Sequence, residues 1–141
     1  MGEQQSEQPA EQPSAEDERR IEELAGRMFE AARTGDGELL GRYVDAGLSA
    51  NLANDRGDTL LMLAAYHGHA AAVRVLLARG ADPDRANDRG QTPLAGAVFK
   101  NEADVVDALV AAGADPDAGT PSAREAARMF GKEHMLSGTD G

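Results

Sequence analysis

The chain has 141 residues, a formal net charge of −11, five aromatic residues and no cysteine. The lack of cysteine excludes a disulfide scaffold and a thiolate metal site, and it suits the reducing cytoplasm, where we expect the protein to be. Its acidity argues against nucleic acid and anionic membranes as partners, since both require clusters of Lys or Arg. Leu, Ile, Val and Phe number only 24 against 27 alanines. This leaves two interpretations: a disordered acidic chain, or a helical array packed with small residues.

The first 20 residues differ in composition from the rest. They include six acidic residues and four Gln, with almost no large apolar side chain, so they bury too little surface to offset the entropy of an ordered chain. Residues 1–20 are therefore predicted to be a disordered acidic tail. Ser14 followed by Asp17 fits, imperfectly, the pattern of a helix N-cap. The alternative for the end of this segment is a helix that opens there and runs on past Ile21.

Two short sequences recur at a distance of 33 residues. ANDRG at positions 53–57 returns at 86–90, and GADPD at 80–84 returns at 113–117. Several single positions obey the same offset, pairing Thr59 with Thr92, Ala64 with Ala97, Val73 with Val106 and Leu76 with Leu109. So many matches at one offset establish a 33-residue repeat, and a period of this length is typical of a solenoid.

Each unit is predicted to be a turn followed by two helices. Asn-Asp-Arg-Gly is turn chemistry, and Thr then opens a first helix. The second helix has an apolar stripe at spacings of three and four residues. Gly80 and Gly113 are placed to end the second helices in the left-handed conformation. The predicted helices are Leu60–His67, Ala70–Arg79, Pro93–Lys100 and Ala103–Ala112.

This unit resembles the ankyrin repeat, which is marked by a T-P-L-H box, a later G-H pair and a final G-A-D. The second unit reads NDRGDTLLMLAAYHGHAAAVRVLLARGADPD and the third NDRGQTPLAGAVFKNEADVVDALVAAGADPD. Leu60 replaces the Pro of the box, Met62 and Ala95 replace its His, and Asn101-Glu102 replaces the G-H pair of the third unit. The resemblance covers about residues 21–136. It implies an all-α ankyrin-repeat solenoid, made of helix-turn-helix repeats with β-turn fingers.

The units at the two ends are degenerate and serve as caps. The first has lost the turn signature but keeps Met28, Phe29, Leu40 and Val44 at core positions. The last is three residues shorter, with a final helix predicted at Glu133–Ser137. The predicted divisions are an N-terminal capping repeat at 21–54, full repeats at 55–87 and 88–118, a truncated C-terminal capping repeat at 119–137, and a flexible end at 138–141.

We expect no enzyme, cofactor or metal site. The sequence lacks the phosphate-binding, nucleophile-elbow and metalloprotease motifs. His67 and His69 flank a glycine without a third ligand, and the ankyrin resemblance gives His69 a structural role. Two aspartate pairs resemble fragments of a calcium loop but lack its glycine and distal glutamate, so they are predicted to be structural. These are Asp82, Asp84, Asp115 and Asp117.

The resemblance implies binding of a protein partner through a concave face, formed by the turn tips and the exposed ends of the first helices. Tyr66 and Phe99 are equivalent positions on that face, as are Arg56 and Arg89, and Tyr and Arg are favoured interface anchors. The alternative is that the rings partly pack against neighbouring helices and the arginines are merely solvated. The predicted partner-binding residues are Asp55, Arg56, Asp58, Tyr66, His67, Asp88, Arg89, Gln91, Phe99 and Lys100, with Arg33 and Thr34 in the first unit.

A second candidate surface lies at the C-terminus, where the short last helix is predicted to leave Met129, Phe130, Met135 and Leu136 without full cover. Such a patch would support self-association of a protein expected to be monomeric, or it would be a cap that frays.

The sequence therefore predicts a cytoplasmic, non-catalytic protein-interaction module. The alternatives are an accessory or chaperone-like factor that supports a partner enzyme, for example in stress or oxidative defence, and a component of an effector or toxin system. From the overall acidity we expect a partner with a basic surface. Twelve Arg against two Lys suggest a bacterial genome of high GC content.

Overall fold

A computed structural model describes residues 14–139 of the chain. Within that range the chain forms seven α-helices and one 3-10 helix, which confirms the predicted all-α fold. They are α1 (Ala15–Thr34), α2 (Gly37–Asp45), α3 (Leu60–Tyr66), α4 (Ala70–Ala78), α5 (Pro93–Phe99), α6 (Ala103–Ala111), α7 (Ala123–Phe130) and a 3-10 helix at Glu133–Thr139.

The helices stand in two rows. Helices α1, α3, α5 and α7 contact one another in that order and form the inner row. Helices α2, α4 and α6 and the 3-10 helix form the outer row in the same way. Each helix therefore contacts the helices of its own and the adjoining repeats, as expected for a solenoid.

The core lies between the two rows and repeats in register with the sequence. Ala31, Ala64 and Ala97, each 33 residues apart, are buried where successive inner helices meet, and their small side chains let the helices approach closely. The composition therefore describes a helical array whose contacts use alanine. The larger buried side chains follow the same period: Met28, Leu61 and Leu94 in the inner row, and Leu40, Val73 and Val106 in the outer row.

Hydroxyl side chains begin the inner helices after α1. The Thr59 hydroxyl accepts a hydrogen bond from the Met62 N–H (3.0 Å), and the Thr92 hydroxyl accepts one from the Ala95 N–H (3.1 Å). Ser122 begins α7 in the same way, and the Glu125 carboxylate accepts the Ser122 N–H in return (2.8 Å). The N-terminal donors of these helices are thus satisfied locally.

Residues with positive φ end the helices at the predicted positions. Gly80 has φ +92°, and the following Ala81 N–H donates back to the Leu76 carbonyl at 3.0 Å, which is the pattern of a Schellman cap. Gly113 repeats this geometry at φ +88°. Asn101 takes the place of a glycine at φ +63°, a conformation that Asn tolerates better than most residues.

The first helix begins earlier than the predicted tail allows. Helix α1 starts at Ala15, and the Ser14 hydroxyl accepts the Asp17 N–H at 3.0 Å. Residues 15–20 are thus helical, in agreement with the N-cap alternative, and residues 1–13 of the predicted tail lie outside the described residues. At the other end the 3-10 helix passes the predicted stop at Ser137. Residues 140 and 141 of the predicted flexible end also lie outside that range.

The turns between repeats form two stacked fingers, which we call finger A (residues 54–58) and finger B (residues 87–91). In finger A the Asn54 side-chain oxygen accepts the N–H groups of Arg56 (2.9 Å) and Asp58 (3.0 Å). In finger B the Asn87 oxygen does the same for Arg89 (2.9 Å) and Gln91 (3.0 Å). Each asparagine therefore fixes the shape of its own turn.

Backbone and side-chain bonds then join the fingers. The Asp88 N–H donates to the Arg56 carbonyl at 3.0 Å, and the Asn87 amide donates to the Asp58 carboxylate at 2.8 Å. The Thr120 N–H extends the ladder to the Gly90 carbonyl at 2.9 Å. Finger B is thus held from both sides, and Asn87 is buried while Asn54 is half-buried.

Because Asn87 serves both its own turn and the neighbouring finger, we expect Asn87→Ala to cost more stability than Asn54→Ala. The Asn87 side chain makes four hydrogen bonds, one of them to the Gln91 side-chain oxygen at 3.1 Å, against two for Asn54. At a net contribution of about 1 kcal/mol per bond, Asn87→Ala is expected to cost about 4 kcal/mol and Asn54→Ala about 2 kcal/mol. Urea unfolding of both variants measures the difference. Equal costs would show that the bond to Asp58 does not couple the fingers.

An ion pair joins the ends of two outer helices. The Arg79 guanidinium, after α4, donates to both carboxylate oxygens of Asp45 at the end of α2, at 2.9 and 3.1 Å. The hydrogen bond and the positive charge of Arg79 hold the pKa of Asp45 below its usual range. Since the folded pKa lies below the unfolded one, the pair stabilises the fold above the unfolded pKa, and this is lost as the pH falls through the folded pKa.

Asp45→Asn is therefore expected to lower the Tm at about pH 7, and the loss should shrink as the pH falls through the lowered folded pKa of Asp45, where the wild-type carboxyl also becomes neutral. Thermal unfolding followed by circular dichroism at a series of pH values measures the Tm difference between the variant and the wild type. Arg79→Gln should produce a Tm difference from the wild type that shrinks with falling pH in the same way. A Tm difference that stays constant with pH would contradict a role for the ionised pair.

Candidate functional site

The inner row and the two fingers border an open groove of about 440 Å³. Arg33, Tyr66 and Phe99 reach it from the C-terminal ends of α1, α3 and α5. Arg56 and Arg89 reach it from fingers A and B. The groove therefore runs across three repeats, with helix ends on one side and fingers on the other. Its remaining lining residues are Asn54, Asp58, Met62, Leu63, His67 and Gln91.

The structure brings seven of the ten predicted partner-binding residues of the full repeats to this groove: Arg56, Asp58, Tyr66, His67, Arg89, Gln91 and Phe99. Asp55 and Asp88 are exposed on the fingers without lining it. Lys100 does not line it either. Its ammonium lies 5.0 Å from the centre of the Tyr66 ring.

The groove also contains two apolar residues that were not predicted from the sequence. Met62 and Leu63 line it one turn before Tyr66, and Met62 is almost fully buried. The sequence contained a sign of this, because the apolar Met62 replaces the histidine of the T-P-L-H box. The direction of the Met62 side chain, however, depends on the neighbouring helix. A Cβ added at Gly96 of α5 would lie 2.9 Å from the Met62 methyl carbon, so the missing side chain of Gly96 makes room for Met62.

The two equivalent aromatic residues have different surroundings. Tyr66 is half-buried, meets His67 edge to face at 5.6 Å and lies under Lys100. Phe99 is 51% exposed and contacts the Phe130 ring edge to face at 5.5 Å. Phe99 is thus the more exposed of the two rings, and both rings contact neighbouring side chains.

The groove is basic although the chain is acidic. Arg33, Arg56 and Arg89 line it, against one acidic residue, Asp58. Arg33 pairs with Glu30 at 3.0 Å. Within residues 14–139, no hydrogen bond or ion pair is formed by the Arg56 or Arg89 guanidinium, and both residues are exposed.

The histidines and aspartates considered for metal binding have structural contacts. The His69 Nε2 lies 2.7 Å from the Arg33 carbonyl, so this ring binds the C-terminal end of α1. Asp82 accepts the Asp84 N–H (2.9 Å), and Asp84 accepts the Asp115 N–H of the next repeat (2.7 Å). No three His, Cys, Asp or Glu side chains in the described part of the chain are placed to share a metal ion.

The predicted C-terminal patch is wrong for one of its four residues, Leu136. Leu136 is 3% exposed, and Met135 is half-buried against the core. The 3-10 helix, which carries both residues, packs on α6 and α7, so Leu136 is buried and the short last element still completes the outer row. Met129 and Phe130 do remain exposed, at 67% and 46%.

Comparison with known proteins agrees with this architecture. A family model described as ankyrin repeats (3 copies) matches residues 28–120. The chain therefore belongs to the ankyrin repeat family, as the sequence predicted. Ankyrin repeats generally mediate protein–protein interaction, typically without catalysis of their own.

Similar proteins occur in bacteria and eukaryotes. An ankyrin repeat protein of Pseudomonas aeruginosa is 44% identical over 63 residues, which cover 45% of this chain and 37% of that protein. Human ankyrin repeat domain-containing protein 29 is 43% identical over 60 residues, which cover 42% of this chain and 20% of the human protein. Zygote-specific protein 3 of Chlamydomonas reinhardtii is 44% identical over 57 residues, 40% of this chain and 15% of its own. This chain thus matches well under half of each relative.

None of the helices among residues 14–139 combines the length and the apolar character needed to cross a bilayer.

Because Phe99 is half-exposed, we expect Phe99→Ala to leave the fold intact, lowering the free energy of unfolding by about 1 kcal/mol. Leu94, one turn earlier in α5, is fully buried, and Leu94→Ala should cost about 3 kcal/mol. Urea unfolding of both variants tests this. Comparable losses would show that Phe99 belongs to the core, contrary to its place in the groove.

Proposed function

We propose that this chain is a non-catalytic module that binds a protein partner in the groove between the fingers and the inner helices. One observation carries the proposal: exposed Arg and Phe side chains, which are of types enriched in protein interfaces, line one groove from three successive repeats. Its contact residues would be Arg56, Asp58, Tyr66, His67, Arg89, Gln91 and Phe99.

The rigidity of the groove walls supports this function. The asparagine bonds and the backbone bond from Asp88 to Arg56 fix the fingers, and the aromatic residues stand on helices anchored by the core. A surface that is ordered before binding loses little entropy on association. The groove lining lacks a paired nucleophile and base, which supports binding rather than catalysis.

The two alternatives from the sequence, an accessory factor for an enzyme and a component of an effector system, would use the same groove with different occupants. They are therefore distinguished by the identity of the bound protein. The cysteine-free composition supports a cytoplasmic location for that encounter.

Affinity capture from a lysate of the source cells, followed by mass spectrometry, tests the proposal. The full chain should retain a specific partner, and the double variant Tyr66→Ala with Phe99→Ala should lose most of it, since truncation of a central anchor commonly costs 2 kcal/mol or more, roughly thirtyfold in affinity. Circular dichroism confirms that the variant is folded.

The matched control removes similar side chains from the outer row. Tyr43 on α2 and Leu77 on α4 are half-buried like Tyr66, and Tyr43→Ala with Leu77→Ala should retain the partner. Retention by the groove variant, or equal loss in both folded variants, would contradict binding in the groove.

A further inference from the structure

The groove differs in charge from the rest of the molecule. The chain has a formal net charge of −11, yet three arginines line the groove against a single aspartate. That aspartate, Asp58, already accepts a hydrogen bond from Asn87 at 2.8 Å. A ligand that enters the groove therefore meets unsatisfied positive charge, whereas a ligand on the outer surface meets a predominantly negative chain.

The arginines of the fingers are available to bind an external anion. Arg56 and Arg89 are exposed, and no side chain among residues 14–139 pairs with either guanidinium. Their main chains are fixed, because each N–H donates to a finger asparagine at 2.9 Å. Asp55 and Asp88 precede them on the finger tips but do not line the groove. A guanidinium on a fixed backbone matches the geometry of a carboxylate, which it can bind through two parallel hydrogen bonds.

The groove leads into an apolar hollow. Gln91 and Phe99 line both the groove and a second cavity of about 180 Å³. Small-molecule sites have roughly 300–1,000 Å³, so the hollow suits a single apolar side chain rather than a separate ligand. Its other lining residues are Ala95, Pro121, Ala126, Met129 and Phe130.

We propose that the groove recognises an extended acidic segment of a protein partner, with carboxylates on Arg56 and Arg89 and one large apolar side chain in the hollow beside Phe99 and Phe130. This inference rests on the proposed function and adds the chemical class of the partner. It reverses the expectation of a basic partner, which came from the charge of the whole chain rather than from the charge of the groove.

Geometry sets the spacing within that segment. Fingers A and B are neighbours, joined by the 3.0 Å bond from Asp88 to Arg56, and packed helices lie about 10 Å apart. An extended chain advances about 3.3 Å per residue, so one repeat corresponds to about three residues of ligand. The matching segment has an acid, a second acid three residues on, and an apolar residue about three residues beyond, in one of the two chain directions.

Fluorescence anisotropy with the full chain and synthetic peptides tests this proposal. The probes are fluorescein-labelled Gly-Glu-Ser-Gly-Glu-Ser-Gly-Leu-Gly and its reversed sequence, each beside a version with both Glu replaced by Lys. We expect one acidic peptide to bind at least tenfold more tightly than its lysine counterpart. Replacing its Leu by Ser should weaken binding about fivefold to tenfold, since burying such a side chain is worth about 1 kcal/mol or more.

Charge-reversed variants locate the contact. Arg56→Glu with Arg89→Glu should weaken binding of the acidic peptide about tenfold, since each exposed pair contributes up to about threefold to fivefold. Arg42→Glu with Arg74→Glu makes the same change of charge on exposed residues of the outer helices α2 and α4. This control should bind within about twofold of the wild type.

Equal binding of acidic and basic peptides, no binding of either acidic peptide, or equal weakening in both charge-reversed variants would each overturn the acidic-segment proposal. These outcomes are separate from failure of the proposed function. If the Tyr66 and Phe99 variant loses its captured partner while the peptides show no preference for acid, the groove binds a partner of different chemistry.

Discussion

The structure depends on one constraint: no single repeat can bury its own apolar surface. The core of a repeat is buried largely through contacts with the helices of the adjoining repeats, and the buried series Ala31, Ala64 and Ala97 lies on three successive inner helices. Those contacts require small side chains, which explains the alanine-rich composition. The caps follow from the same constraint, since among residues 14–139 the first pair of helices (α1 and α2) and the last pair (α7 and the 3-10 helix) each contact an adjoining repeat on one side only.

Stacking also positions the functional surface. A fixed offset between repeats places equivalent side chains side by side, so a residue that reaches the groove in one repeat is joined by its equivalent in the next. The ladder of hydrogen bonds through Asn54 and Asn87 transmits this register to the fingers. The backbone of the groove is therefore fixed by these hydrogen bonds and by the packing of the inner helices, while Arg56, Arg89 and Phe99 are exposed to a partner.

The sequence predicted most of the fold because its strongest signal, the 33-residue period, is also the physical repeat of the structure. It predicted the left-handed ends at Gly80 and Gly113 because few residues other than glycine adopt that conformation readily. It was wrong about the exposure of Leu136, because burial there depends on how the last 3-10 helix docks on α6 and α7. Periodicity fixes which residues are equivalent, whereas docking of the last element fixes what covers them.

The charge of the groove could not be predicted from composition, because the acidic residues are spread over the whole chain while Arg33, Arg56 and Arg89 are brought together by stacking. Amide chemical-shift mapping by NMR, with the acidic peptide titrated into the labelled full chain, tests most directly whether this face is the recognition surface. If the peptide binds in the groove, the shifts should be confined to the two fingers, the C-terminal ends of α3 and α5, and the Phe130 hollow. Shifts concentrated on the outer helices α2, α4 and α6 would contradict binding in the groove.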